Sequence, residues 1–148
     1  MSERMRAIWN ADLHARLLAG LAAVGDFQLA RQGSLDPRSL REKSGCSDLV
    51  SAVDTESEAR LSDLLGALLP AAGQLGEEGL RRAGAGELVW VVDPLDGTTN
   101  YAHEHPFFCI SVALVAGREP LVAAIHAPQL RETFHGWGGH AWLGQGLP

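Results

Sequence analysis

The sequence predicts an α+β fold, two helices packed on a mostly antiparallel sheet, and three observations carry that expectation. Apolar residues recur at helical spacing twice in the first half of the chain. In the second half, short apolar runs alternate with turns rich in Gly and Pro. At 148 residues and 46% hydrophobic, the chain is long enough for one domain with a sizeable core.

Each element can be justified in order. Trp9, Leu13, Leu17, Leu21 and Val24 recur at steps of four or three, which predicts an amphipathic helix from about Ile8 to Gln32. "LLAGLAAVG" inside it continues that stripe behind Asp12 and His14, so it reads as helix and not as a signal peptide. "QGSLDPRSLREKSGCSD", Gln32 to Asp48, is polar and holds Gly33, Pro37 and Gly45; it reads as a mobile loop or irregular hairpin. "LVSAV", Leu49 to Val53, reads as a short strand ending on Asp54. Thr55 with Glu58 forms a capping-box pattern ahead of Leu61, Leu64, Leu65 and Leu68, a second helix that Pro70 stops.

"AGQLGEEG" reads as a brief strand leading into a turn with Glu77 and Glu78, and Arg81 and Arg82 read as solvated turn charges. "ELVWVV", Glu87 to Val92, is too uniformly apolar to alternate, which predicts a strand buried on both faces. "FCISVALVAG", "PLVAAIHAP", "RETFHGW" and "HAWLG" follow as strands, with turns at Gly117–Pro120, Pro128–Arg131 and Gly138–Gly139. There is no internal repeat and no low-complexity tract.

Composition excludes some functions. A net charge of −6 argues against a nucleic-acid polymer or an anionic membrane surface as partner. No segment approaches the ~20 apolar residues of a membrane span. Cys46 and Cys109 make no disulfide framework, which points to a reducing cytoplasm. Cys46 is a candidate modifiable thiol and Cys109 a small hydrophobe within a strand. His103 and His105 in "HEHP" lack a third ligand for zinc; His126, His135 and His140 lie on different predicted strands and read as surface or hydrogen-bonded core residues.

The chemistry concentrates in "WVVDPLDGTTNY", Trp90 to Tyr101. Asp54, Glu77 and Asp93 each sit at or just past the end of a predicted strand, with Asp96 one turn on. A sheet would bring these four carboxylates to one edge, where they repel unless protonated or shared with a cation. Mg²⁺ takes six oxygens and is held by carboxylates, waters and substrate phosphate. Pro94 fixes the backbone as it leaves the strand and turns the Leu95 carbonyl inward; Gly97 permits a tight turn. The N–H groups of Gly97 and Thr98 then open a short helix, a setting for an anion. Metals on acids and phosphate on N–H groups make a phosphate-ester site. An Asp-x-Asp phosphatase motif does not fit, because the two acids are three residues apart.

"DLVSAVDTESE", "LGEEG" and "WVVDPLDGTTNYAHEHPFFCISVAL", with the strands that follow, resemble the inositol monophosphatase family of Mg²⁺-dependent, lithium-sensitive phosphatases. The resemblance runs from about Ala11 to the last residue. It implies the N-terminal half of a layered α/β sugar-phosphatase fold, with residues 1–148 as a metal- and phosphate-binding domain and the C-terminal domain absent. It implies hydrolysis of a small phosphorylated alcohol or sugar by activated water, using two or three Mg²⁺ ions, in a cytoplasmic enzyme that is a homodimer when full length. Glu77, Asp93 and the Leu95 carbonyl would hold the first ion, and Asp93 and Asp96 the second. Gly97 and Thr98 would hold phosphate, Thr98 with Asp54 would orient the attacking water, and Lys43 would lie on a loop near the site. Glu77, Asp54 and Thr98 are thus the expected catalytic set.

Departures from the family pattern qualify this. Trp9, Trp90, Trp137 and Trp142 precede Asn, Val, Gly and Leu, so the family's Trp-Asp ligand of the second metal is missing, and "GHAWLGQG" lacks the usual Asn-Gly turn. The chain as given is therefore expected to be an impaired catalyst, or a non-catalytic dimerising fragment. "DGTTN" favours a monoester over the nucleotide 3',5'-bisphosphate, fructose-1,6-bisphosphate and histidinol phosphate substrates of the wider superfamily.

Overall fold

A computed structural model describes residues 8–32 and 43–144. Two long helices lie on one face of a seven-stranded sheet. Helix α1 (Ala11–Gln32) starts a little later than its apolar spacing predicts, because the Asn10 side chain accepts the Leu13 N–H at 3.0 Å and caps it. Of the expected stripe, Trp9, Leu17, Leu21 and Val24 are buried and Leu13 partly so, and Leu18 joins them.

Helix α2 (Lys43–Leu68) overturns three expectations at once. The strand expected over Leu49–Val53 is helical, Asp54 therefore stands on a helix, and Thr55 with Glu58 caps nothing because both lie in its interior. Val50, Val53, Asp54, Ser57, Glu58, Leu61, Leu65 and Leu68 are buried at steps of one, three and four, a single helical stripe. A five-residue apolar run cannot be told from part of such a stripe by periodicity alone. Of the loop expected over Gln32–Asp48, residues 43–48 belong to α2 and residues 33–42 lie outside the described ones. The helix ends two residues before Pro70.

The strands are β1 (Gly73–Gly76), β2 (Arg81–Arg82), β3 (Leu88–Asp96), β4 (Cys109–Ala116), β5 (Glu119–Ala127), β6 (Glu132–Trp137) and β7 (His140–Leu143), in spatial order β2-β1-β3-β4-β5-β6-β7. β1 and β3 are parallel and every other neighbouring pair is antiparallel. Arg81 and Arg82, expected in a turn, form the short edge strand and stay exposed. Helix α3 (Thr98–Ala102) follows β3 directly.

Trp90, Val92, Ile110, Val112, Leu114, Val122 and Ala124 pack with α1 and α2 into the main core. The expectation that β3 is buried on both faces fails: Val91, on the opposite face, is 40% exposed. Leu75 is its register partner on the same side, and on that face a separate exposed row runs through Ile125, Phe134 and Leu143, in register with Ser111 and Asp93. Uniform hydrophobicity in "ELVWVV" thus serves one core and one open face.

A chain of hydrogen bonds ties α1 to the far edge of this sheet. The Trp9 indole N–H, a donor only, points at His14 Nδ1 at 3.2 Å. His14 Nε2–H must then donate to His135 Nδ1 at 2.8 Å, and His135 Nε2–H to the Gly144 carbonyl at 3.0 Å. Both rings are buried, and they stack on Trp137 and Trp142 respectively. His14 cannot take a second proton without setting its Nδ1–H against the Trp9 indole N–H. Burial, with the neighbouring His135, lowers the His14 pKa to about 4.

A pH dependence of stability follows. Because the folded pKa of His14 lies below its ordinary 6.5, the unfolded chain binds the proton first as pH falls. This contribution is complete above pH 6.5 and is lost as pH drops toward 4, by ~3 kcal/mol. Denaturant unfolding of the wild type and His14→Phe at both ends of that window measures it. The variant, though less stable, should lack this loss; equal losses in the two proteins would remove His14 as the titrating group.

Candidate metal and phosphate site

The site is built on an interruption of β3. Pairing with β4 runs regularly from Leu88 to Asp93, shifts register, and resumes where Asp96 faces Cys109. Pro94 has no N–H to give the ladder, so the strand bulges there. The chain does not leave the strand at Pro94, as the sequence suggested; it leaves at Gly97. Gly97 has φ 88°, and a Cβ there would stand 2.8 Å from the Phe107 carbonyl oxygen, so backbone conformation and close approach both demand glycine.

Local hydrogen bonds fix what the bulge presents. The Leu95 N–H donates to Asp93 Oδ1 at 3.2 Å, and the Thr98 hydroxyl donates to the Leu95 carbonyl at 3.1 Å. The side chain of Asn100 donates to the Phe107 carbonyl at 2.6 Å, closing the loop beyond α3. Underneath, Leu95, Tyr101 and Phe108 join Val50 and Val53 in a second small core. Beside the turn lies a cleft of about 400 Å³ lined by Asp96, Gly97, Asn100, Phe107, Phe108 and Leu130, among others.

The acids do come together, from α2, the turn after β1, and β3. Burial first, then Glu78, Asp93, Glu77 and Glu58, raises the Asp54 pKa to about 7. Burial first, then Glu77 and Asp96, raises that of Asp93 to about 6. Among the described residues the ion pairs engage Asp12 and Glu56 and none of these acids. Asp54 Oδ1 is buried and has no hydrogen-bond partner. Close, uncompensated carboxylates with an orphaned buried oxygen fit a hard divalent cation in donor type. Among the described residues, however, no three His, Cys, Asp or Glu side chains already converge as a finished ligand set.

Other candidates fall away. His103 and His105 are exposed with ring centroids 6.5 Å apart and join no metal-binding group among the described residues. Cys109 is half-buried; burial first, then Asp96 and Asp93, pushes its thiol up to about 11, an unreactive state. Lys43 and Cys46 lie in the first turn of α2, and their side chains are outside the described residues. Sequence reasoning missed two participants. Glu78 reads in the sequence as a turn residue, yet after burial it is the first of the neighbouring carboxylates to raise Asp54. Glu58 reads in the sequence as part of a capping box, yet its buried carboxylate accepts the Glu78 and Leu80 N–H groups. Its spacing of four from Asp54 is the signal that a helix through both would have supplied.

Residues 14–146 match the model of the inositol monophosphatase family. The chain is 36% identical over 123 residues to a fructose-1,6-bisphosphatase/inositol-1-monophosphatase of Aquifex aeolicus, covering 82% of this chain and 46% of that protein. It is 40% identical over 106 residues to an inositol monophosphatase of Dictyostelium discoideum, covering 69% and 39%. Among solved structures, the extragenic suppressor protein suhB of Bartonella henselae superposes with a TM-score of 0.76 at 27% identity, covering 90% of this chain and 51% of that one. An IMPase of Thermotoga maritima gives 0.70 at 31%, covering 89% and 50%. The chain thus spans about half the length of these relatives.

Gly97→Ala tests the turn itself. A left-handed alanine pressed on the Phe107 carbonyl should cost ~1–3 kcal/mol of unfolding free energy, read by denaturant titration. A loss under ~0.5 kcal/mol would be that of an ordinary surface change and would show that the turn does not need glycine.

Proposed function

The chain belongs to the inositol monophosphatase family, and from that premise we propose that it carries the metal- and phosphate-binding half of a Mg²⁺-dependent phosphomonoesterase acting on a small, inositol-phosphate-like substrate. One observation carries the reading: Asp54 Oδ1 is buried without a hydrogen-bond partner beside the bulge in β3, where Glu77 and Asp93 act on Asp54, and Glu77 and Asp96 on Asp93.

Glu77, Asp93 and the Leu95 carbonyl would hold one Mg²⁺, and Asp93 with Asp96 a second. When bound, the ions supply an acidified water and offset the charge of phosphate. The protein's own groups do the rest. The Thr98 hydroxyl donates its hydrogen bond to the Leu95 carbonyl and so keeps its lone pairs to accept one from water. Asp54 Oδ1, buried and unpartnered, is the acceptor for that water's proton. The backbone N–H groups of Gly97 and Thr98 would orient phosphate, and Lys43, at the start of α2, would lie near the site.

The partner is then a small phosphorylated alcohol or sugar. No described helix is long and apolar enough to cross a membrane. A second reading has a specific motive: the Aquifex aeolicus relative is named for fructose 1,6-bisphosphate as well as inositol 1-phosphate. A panel of phosphate esters assayed with and without Mg²⁺ decides between them, and turnover that ignores Mg²⁺ would overturn the proposal.

Two substitutions probe the roles separately. Asp93→Asn in the intact phosphatase should abolish Mg²⁺-dependent turnover, because one carboxylate serves both ions; near-normal turnover would sink the assignment. Thr98→Ala should leave Mg²⁺ affinity almost unchanged and lower kcat by ~10²-fold or more, the scale of a lost acid–base relay. Calorimetry showing Mg²⁺ binding lost in that variant would contradict the role given to Thr98.

A further inference from the structure

We infer that Glu58 is the positioning residue of the acid cluster, its carboxylate clamping the turn that carries Glu77 and Glu78 so that both stand opposite Asp54 and Asp93. The inference rests on the proposed metal reading for its purpose, but its geometry stands alone. Glu58 Oε2 accepts the Glu78 N–H and Oε1 the Leu80 N–H, each at 3.0 Å. The Gly76 N–H donates to the Leu80 carbonyl at 2.8 Å and closes the same turn. Both carboxylate oxygens of Glu58 are engaged by backbone and the residue is buried, so it does not serve as a ligand.

The clamp is one mark on a ruler. Asp54, Glu58 and Ser62 are spaced by four on α2, one face of the helix. Ser62 grips the first part of β1: its hydroxyl donates to Gln74 Oε1 at 2.5 Å, and Gln74 Nε2 donates to the Ser62 carbonyl at 3.0 Å. Four helical residues rise ~6 Å, close to the ~6.6 Å of two strand residues. One turn back along α2, Glu58 accordingly meets Gly76, where any Cβ would strike its carboxylate. One turn further back stands Asp54, facing the charges of Glu77 and Glu78.

The acids need such an anchor. Like charges drive the Glu77–Glu78 turn away from Asp54 and Asp93, and two charge-assisted hydrogen bonds to a buried carboxylate oppose that. Glutamine cannot replace it, because its amide group would turn a donor toward one of the two N–H groups. Aspartate is one methylene too short to reach both.

The test is Glu58→Gln in the whole 148-residue chain, with Asp63→Asn, exposed on the same helix, as control. Amide exchange should quicken by ~10-fold or more at Glu78 and Leu80 and stay unchanged at Val112 and Leu114. Calorimetry with Mg²⁺ alone should show affinity lowered by ~10–100-fold, the scale of lost support behind a metal ligand. Saturating Mg²⁺ should restore protection at Glu78 and Leu80, which a merely structural role would not produce, and Glu58→Asp should behave like Glu58→Gln. Unchanged exchange at both amides, or Mg²⁺ affinity within ~2-fold of wild type despite faster exchange, overturns the inference. If Glu58→Gln also loses protection at Val112 and Leu114, Gly76→Ala displaces the carboxylate from the other side and is judged by the same readouts. A wild-type chain that binds no Mg²⁺ would defeat the metal reading, and exchange at the two amides would still decide the clamp.

Discussion

The buried amide of Gln28 is the contact on which the site depends. Its Nε2 donates to the Pro94 carbonyl at 2.7 Å and to the Ser57 hydroxyl at 3.1 Å, joining α1, the bulge of β3 and α2 at one point. Where β3 gives up its ladder, a backbone carbonyl needs a new partner, and leaving it unmet would cost ~1–3 kcal/mol. The same helix holds the far side of the motif. Tyr101 donates its hydroxyl to the Gln28 carbonyl at 2.7 Å, and Gln32 Nε2 donates to the Tyr101 carbonyl at 3.0 Å. Asp93, Leu95 and Asp96 are therefore presented by a segment gripped before and after the turn. The irregularity that aims the acids is a braced feature.

How much of this was legible in the sequence depends on what each buried face contains. The strands from β3 to β7 were readable because hairpins announce themselves locally, through apolar runs and the turn residues between them. The first half of α2 was not. Its inward face carries Asp54, Ser57 and Glu58 where a core helix would carry leucines, so the apolar period that identifies a helix is broken by the residues that matter most. Only from Leu61 onward does the face become apolar and the helix visible. Reading fails here because polar groups at the site displaced the pattern.

The site divides the same way. Asp93, Asp96 and Gly97 are chemically explicit within a few residues, but the strand runs on through Asp96 instead of ending at Asp93, and only the turn at Gly97 stands where the sequence put one. The contributions of Glu58 and Glu78 exist only after β1 has docked against α2, and nothing local distinguishes them from an ordinary helical glutamate and a turn acid. The open face of the sheet was hidden for a related reason: hydrophobicity records that a residue avoids water, not which layer covers it.

The hydrogen-bonded line from Trp9 through His14 and His135 to Gly144 also constrains the order of events during synthesis. His14 and His135 are 121 residues apart. As the ribosome releases the chain, the first helix has its apolar stripe available early and Trp9 is at hand for His14 Nδ1, while His14 Nε2–H meets its folded partner only when β6 emerges and β7 is turned beside it. Contacts this distant are entropically slow to close and reward the chain late. The growing polypeptide must leave that N–H to water through most of its elongation, because the residues that bury it come last. The moment that group is satisfied marks completion of the sheet.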